Sequence, residues 1–129
     1  TDSTLKGQTV FLAERCGELM HDNIITDRTV FDVMAFTMNA KSIPHQDKES
    51  FETYANEFIR EYDYIFYISP HGIEIEDNGV RETDEHYRDL IDFTITTLIK
   101  RYGHKCNIVE KISGSTEERI QQILNITGL

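Results

Sequence analysis

Residues 62–70, YDYIFYISP, decide the class of fold that this sequence predicts. Every side chain from Tyr64 to Ile68 is aromatic or aliphatic, and the run stops before Pro70. A continuous apolar run, without alternating polar residues, is typical of a strand that is covered on both faces. Because strands of this kind belong to parallel sheets, we expect a parallel strand here.

The chain on the amino-terminal side of this run predicts helices and a second strand. GQTVFLAERCGELMH has its apolar residues at helical spacing and predicts a helix from about residue 3 to 21. NIIT, residues 23–26, predicts a short buried strand, and RTVFDVMAFTMNA predicts a second helix. Pro44 ends that helix in a polar loop, and SFETYANEFIREY predicts a third helix after it.

The chain on the carboxyl-terminal side continues the alternation. DEHYRDLIDFTITTLIKRYG predicts a helix that Thr83 or Asp84 caps and Gly103 ends. KCNIVEKIS predicts a third strand, and STEERIQQILNIT predicts a final helix that starts at Ser115 or Thr116. Strands that alternate with helices indicate an α/β fold, which we expect to be a three-layer sandwich with a mostly parallel sheet. A free-standing sheet of three strands would be exposed at both edges, whereas parallel sheets are normally buried. We therefore expect further strands upstream of Thr1.

Length and composition limit the classes of function. The 129 residues, 39% of them hydrophobic, predict one soluble domain, and the formal charge of -10 argues against non-specific binding of nucleic acid or anionic lipid. Cys16 and Cys106 lie too far apart for a CxxC motif, so we expect reduced thiols and no zinc. No apolar stretch approaches the roughly 20 residues that cross a bilayer, and no signal peptide is evident, which predicts a cytoplasmic protein.

Three strand exits carry the residues that could do chemistry, because open parallel sheets bind ligands beyond the carboxyl ends of their strands. Asp27 and Arg28 follow NIIT, where the carboxylate could act as a base or metal ligand and the guanidinium could bind phosphate. Arg81 follows the second strand, with Arg88 one or two helical turns beyond it, and the two could close over a ligand as a basic lid. The loop SGST, residues 113–116, follows the third strand.

Each exit also has a purely structural interpretation. Asp27 and Arg28 could be a charged pair that caps the helix starting at Thr29. Arg81 could offset its acidic neighbours on a solvated helix start, and SGST could be an ordinary helix cap. The sequence leaves both interpretations open at all three exits. Phe51 and Tyr54 are aromatic residues in a polar segment that would suit a homodimer contact.

The ordered set of these stretches resembles the P-loop nucleotide and nucleoside kinase-like ATPases, in particular the compact AAA-type group with the ribosylnicotinamide kinase-like domains. QTVFLAERCGELMHDNIITDRTVFDVMAF, YDYIFYISP, DNGVRETDEHYRDLIDFTI and ISGSTEERIQQIL carry the resemblance along nearly the whole chain. It implies a single domain over residues 1–129, with a lid-like segment at about residues 72–90. It also implies phosphoryl transfer from ATP with Mg²⁺ to a small-molecule acceptor.

The resemblance also implies roles for individual residues. Asp27 would lie near the metal and the acceptor, Arg28 would contact phosphate or substrate, and Arg81, with Arg88, would engage the ATP phosphates.

Two further sets of residues receive weaker roles from the same resemblance. Gly114, Ser115 and Thr116 would form the loop near the adenine. Glu18 and Asp32 would lie on the substrate side or be structural.

The departure from the family is the phosphate loop. Members carry GxxxxGK[ST] after their first strand, whereas none of the seven glycines here precedes a lysine. Either the loop precedes Thr1, which we expect, or the chain is a degenerate relative that does not turn over ATP. Two alternatives to a kinase therefore stay open, a non-catalytic nucleotide-binding or assembly protein and an ATPase switch with the same fold.

Overall fold

The computed structural model describes residues 3–69 and 85–129. These residues form a mixed α/β structure of helices around a small sheet, with two short 3-10 helices, η1 and η2. In chain order the elements are α1 (Leu5–Glu18), α2 (Val30–Met38), α3 (His45–Ala55), η1 (Asn56–Glu61), β1 (Tyr64–Ile68), α4 (Glu85–Tyr102), η2 (Gly103–Lys105), β2 (Ile108–Ile112) and α5 (Thr116–Thr127).

The sheet confirms the parallel pairing that strands alternating with helices predict. β1 and β2 pair in parallel, with Tyr64 opposite Ile108 and Ile68 opposite Ile112. α4 lies between the two strands in sequence and makes the crossover that parallel strands require. The carboxyl ends of β1 and β2 therefore lie at the same edge of the sheet, as expected for two of the three predicted strand exits.

The predicted strand at NIIT is wrong. Residues 23–26 are not a strand, and Ile25 is 96% exposed. The backbone turns at both ends of the segment, where Asn23 and Arg28 have positive φ values of 55° and 88°. A strand needs a neighbour to pair with its N–H and C=O groups, and within residues 3–69 and 85–129 the sheet contains β1 and β2 alone. Asp27 and Arg28 consequently do not lie at a strand exit.

The hydrophobic core is centred on α2. Its apolar side chains pack against α1, α3 and α4, and Val30, Met34 and Ala35 are completely buried. From α4, Leu98 is also completely buried in this cluster. A polar contact fixes the two helices, since the Asn39 side-chain amide donates to the Thr94 hydroxyl at 2.9 Å.

Several helix boundaries in the structure differ from the predicted ones. The first helix ends at Glu18 rather than near residue 21, and the third begins at His45 rather than at Ser50, with Pro44 as its N-cap. Phe51 is buried in the core, so the prediction that it is free for a dimer contact is wrong, whereas Tyr54 is 62% exposed.

The other predictions concern the ends of two helices and the state of the cysteines. α4 ends at Tyr102, just before Gly103, and Ser115 caps α5, as the sequence predicts. The predicted cap at Thr83 or Asp84 lies outside the described residues. Both cysteines are free thiols, and within the described ranges no helix combines the length and apolar character that a bilayer crossing requires.

The sheet is covered on one face by α4. Ile65 belongs to the core, and Tyr67 and Val109 line a groove with residues of α4. Because side chains alternate along a strand, Tyr64 and Ile68 point to the other face, where each is 40% exposed. The amphipathic helix α5 has no buried residue. The described residues thus form a helical layer and a two-stranded sheet, and the predicted third layer stays a prediction.

Candidate functional site

Asp27 and Arg28 are both exposed, in the connection between α1 and α2. Among the described residues, neither side chain has a hydrogen bond or an ion pair with another residue. The structural interpretation, in which this pair caps α2, is therefore wrong, because the cap is made by other residues. A carboxylate and a guanidinium that are adjacent in sequence, and that have no hydrogen bond or ion pair within the described residues, are available for a ligand.

The backbone at Arg28 is in the left-handed region, with φ +88°. A non-glycine residue rarely adopts this conformation, and such strain is concentrated at ligand-binding and active sites. The Thr26 hydroxyl donates to the Arg28 carbonyl at 3.1 Å, which closes the turn. The turn sets the direction in which the Arg28 side chain leaves the chain.

An aromatic pair supports the Arg28 side chain. Its guanidinium carbon lies 6.0 Å from the centroid of the Phe36 ring, within range of a cation–π contact. The Phe36 ring also lies next to Tyr87, with ring centroids 6.2 Å apart. Tyr87 lies in the first turn of α4, so one aromatic side chain separates Arg28 from the start of that helix. Sequence reasoning missed Phe36 and Tyr87, since Phe36 lies in an apolar run that predicts only core.

The start of α2 is closed by a capping box. The Thr29 hydroxyl accepts the Phe31 N–H at 3.1 Å, and the Asp32 carboxylate accepts the Thr29 N–H at 2.9 Å. Burial raises the pKa of Asp32, while the Thr29 N–H and the nearby Arg28 charge act in the opposite direction. Asp32 therefore has a structural role, and the amides of this helix end are not free to bind an anion.

Tyr62 completes the closure of the same helix end. Burial raises the pKa of Tyr62 to about 12, although a hydrogen bond with the Val30 backbone opposes the shift. The charges of Glu18 and Arg15 also act on this hydroxyl, and those two side chains form an ion pair with 2.5 Å between Arg15 Nε and Glu18 Oε1. Glu18 is thus engaged in a structural pair beside the candidate site. Nothing in the sequence pattern singles out Tyr62 for this contact.

The loop SGST is also used internally. The Ser115 hydroxyl accepts the Glu118 N–H and the Glu118 carboxylate accepts the Ser115 N–H, both at 3.1 Å. These bonds lower the pKa of Glu118. The Thr116 hydroxyl accepts from Arg119 at 3.0 Å, and Gly114 makes the preceding turn with φ +100°, where a side chain would be strained. This geometry is the helix cap of the structural interpretation, and its contact with adenine stays a prediction.

The predicted lid is described only in part. Arg81 and residues 72–84 of the lid-like segment lie outside the described residues. Arg88 lies in the first turn of α4, directly after Tyr87, and its Nε is buried without a hydrogen-bond partner in the described part of the chain. A buried donor of this kind is costly unless a ligand or another group satisfies it. Arg88 therefore remains a second candidate, in addition to Arg28, for binding a ligand.

The fit of the site to Mg²⁺ depends on Asp27. Within residues 3–69 and 85–129, no group of three or more His, Cys, Asp or Glu side chains could hold a metal ion. Mg²⁺ needs no such group when it is bound by one or two carboxylates, several waters and the phosphates of a nucleotide. The free Asp27 carboxylate fits that mode of binding, whereas the engaged carboxylates of Glu18 and Asp32 do not.

Comparison with known proteins gives one match. A family model described as an AAA domain matches residues 7–119, which include every candidate residue named above. No curated protein and no solved structure matches the chain.

Proposed function

Because this chain belongs to the AAA domain family, which is a P-loop NTPase-like family of nucleotide-binding domains, we propose that it transfers a phosphoryl group from MgATP to a small acceptor. The acceptor would be a nucleoside, a nucleotide or a related molecule with a hydroxyl or phosphate group. The family match supports nucleotide binding, and it supports no finer group such as the ribosylnicotinamide kinases.

One observation carries the proposal of catalysis. Asp27 and Arg28 are exposed, and neither has a hydrogen bond or an ion pair within residues 3–69 and 85–129, while the neighbouring polar groups of Thr29, Asp32 and Tyr62 are engaged. The left-handed backbone at Arg28 costs on the order of 1–3 kcal/mol, which a purely structural connection has no reason to retain. The free pair is suited to a ligand that presents both a proton to remove and a negative charge to bind.

The proposed roles follow from the chemistry of the side chains. Asp27 accepts the proton of the acceptor hydroxyl and holds Mg²⁺ directly or through water. Arg28 binds phosphate oxygens, and its contact with the Phe36 ring limits the orientations that it can adopt. Arg88, with Arg81, supplies further positive charge to the transferring group. When bound, Mg²⁺ neutralises charge on the phosphates of the nucleotide.

The phosphate cradle would come from outside residues 1–129. These residues contain no GxxxxGK[ST] loop, and on the face of the sheet opposite α4 Tyr64 and Ile68 are each 40% exposed, although Ile112 is buried there. A strand, loop and helix added at the sheet would supply the cradle and complete the three-layer sandwich. The coding sequence upstream of Thr1 tests this directly, since a GxxxxGK[ST] motif there supports the enzyme.

The catalytic proposal is tested by ATP consumption in the full-length gene product across nucleosides and nucleotides. We expect Asp27→Asn to lower kcat by about 100-fold or more, because the amide cannot act as a base, with a smaller change in KM for ATP. Asp22→Asn is the matched control, since Asp22 is an exposed carboxylate in the same connection, and we expect it to keep full activity. Equal activity in the Asp27→Asn variant and the unmodified protein would refute the proposal.

The absence of a phosphate loop within residues 1–129 favours a second candidate, a non-catalytic nucleotide-binding or assembly protein. The same assay separates the two, because such a protein would bind ATP without turnover under every acceptor condition. An ATPase switch would be distinguished by hydrolysis that only a macromolecule stimulates.

A further inference from the structure

Two aromatic side chains connect Arg28 to the first turn of α4. The guanidinium carbon of Arg28 lies 6.0 Å from the centroid of the Phe36 ring, and that centroid lies 6.2 Å from the centroid of the Tyr87 ring. We propose that Phe36 and Tyr87 are positioning residues, through which the start of α4 sets the orientation of the Arg28 guanidinium and its affinity for phosphate. The phosphate-binding role of Arg28 rests on the proposed function, whereas its positioning rests on these contacts.

The Arg28 side chain has few restraints other than the Phe36 ring. It is exposed, and it forms no hydrogen bond or ion pair within the described part of the chain. The charge of Asp32 also acts on it, but that carboxylate is held by the Thr29 N–H. A cation is attracted to the face of an aromatic ring, so the Phe36 ring favours the conformations of Arg28 that keep the guanidinium above it.

The Phe36 ring has little freedom of its own. It lies in α2 between Ala35 and Thr37, which are completely buried, so the backbone that carries the ring is fixed in the core. Phe36 itself is half-buried, and its ring packs at 44° against Tyr87, at a separation typical of an attractive aromatic pair. Since α2 is fixed, a change in the position of Tyr87 would alter the orientation of the Phe36 ring rather than that of the helix.

Tyr87 connects this arrangement to the second candidate arginine. It precedes Arg88 in the first turn of α4, so a movement of that turn displaces both residues. Arg28 and Arg88 are therefore linked through a pair of rings. Phosphate binding by either arginine should change the affinity of the other, because coupling between two sites is reciprocal.

Nuclear magnetic resonance of the full-length gene product tests the positioning without any ligand. The Nε–Hε signal of Arg28 is assigned by its loss in Arg28→Lys. Protons above an aromatic ring are shielded, so Phe36→Leu should move this signal downfield. Phe36→Tyr keeps the ring and should leave the signal near its original position. Tyr87→Leu should also move the signal, because it removes the ring that orients Phe36.

Phe58→Leu is the matched control. Phe58 is also a half-buried aromatic residue, and its ring centroid lies 5.3 Å from that of Tyr54 in a second aromatic pair. The same substitution there should leave the Arg28 signal unchanged. Circular dichroism and urea unfolding check that the variants fold, and Tyr87→Leu tests the inference at the start of α4 if Phe36→Leu does not fold.

Calorimetric titration with inorganic tripolyphosphate tests the effect on phosphate binding. This probe presents phosphate oxygens without a base or a sugar, so it does not require the acceptor to be known. We expect Phe36→Leu to raise its Kd about threefold, which corresponds to the loss of one cation–π contact at an exposed site. In an Arg28→Gln background, Phe36→Leu should have no further effect, because Phe36 acts through Arg28. Phe58→Leu should leave the Kd unchanged.

Three outcomes would overturn the inference. They are an Arg28 signal that Phe36→Leu leaves in place, equal effects of Phe36→Leu and Phe58→Leu on the Kd, and an undiminished effect of Phe36→Leu in the Arg28→Gln background. If the unmodified protein does not bind tripolyphosphate, the proposed phosphate role of Arg28 fails instead. In that case the Arg28 signal alone decides whether the two rings position its side chain.

Discussion

At the scale of single residues, the α1–α2 connection separates engaged from free polar groups. Asp32 is buried and holds the Thr29 N–H, while Asp27, five positions earlier, is exposed and has no partner in the described part of the chain. Both are aspartates, so residue type does not tell them apart. The difference comes from the capping-box spacing of Thr29 and Asp32, which places the later carboxylate over the helix end.

Tyr62 gives a residue-scale prediction about pH. Its folded pKa of about 12 lies above the ordinary value of 10, so the folded state holds this proton more tightly than the unfolded state. The resulting stability is complete below about pH 10 and is lost as the pH rises towards 12. We expect Tyr62→Phe to reduce the loss of stability above pH 10, as measured by urea unfolding between pH 7 and 11.5.

Tyr54→Phe is the matched control for this measurement, because Tyr54 is 62% exposed. It should leave the alkaline loss of stability unchanged. If Tyr62→Phe and the unmodified protein lose stability equally between pH 10 and 11.5, the buried environment of the hydroxyl is not as described.

At the scale of elements, α2 and α5 have the same kind of cap but opposite environments. Each begins with a capping box, Thr29 with Asp32 and Ser115 with Glu118. α2 buries most of its residues at the centre of the core, whereas α5 buries none. The same local chemistry should therefore affect the whole protein in one case and a single helix in the other.

The comparison of Thr29→Ala with Ser115→Ala tests this difference. Loss of either cap costs its helix about 1 kcal/mol. We expect Thr29→Ala to lower the free energy of global unfolding by that amount, because α2 unfolds only with the core. Ser115→Ala should leave the global value nearly unchanged and increase amide hydrogen exchange within α5. Equal losses of global stability would mean that α5 is packed more tightly in solution than the structure shows.

The elements also show how far the sequence predicts the fold. β1 is predictable because it is a continuous apolar run, and α5 is predictable from its cap and spacing, whereas β2 is a weaker signal because IVEKI contains two charged residues. NIIT has equally good strand residues, but a strand also requires a partner that a local pattern does not reveal. In the candidate site, Asp27 and Arg28 are visible as a charged pair. The contact of Phe36 with Arg28 is not visible, because Phe36 lies in an apolar run that predicts only core. The contact of Phe36 with Tyr87 is not visible either, because it joins positions 36 and 87, which are 51 residues apart.

At the scale of the whole molecule, the packing of α2 against α4 connects the candidate functional site with the sheet. Arg28 reaches α4 through Phe36 and Tyr87. Thr96 and Lys100 of the same helix line the groove between α4 and the sheet. α4 is therefore the element whose position matters for both. A loss of its packing should affect the stability of the described fold more than any change on the exposed helix α5.

The packing of α4 is tested with two truncations in the same helix. Leu98 is completely buried in the core, and Leu98→Ala should lower the free energy of unfolding by about 3 kcal/mol through lost burial and a residual cavity. Phe93 is 69% exposed, and Phe93→Ala should change the same quantity by less than about 0.5 kcal/mol, although it removes a larger side chain. Urea unfolding at pH 7 measures both. Similar values for the two variants would show that α4 does not pack through Leu98, and the positions assigned to Tyr87, Arg88 and the groove would lose their structural basis.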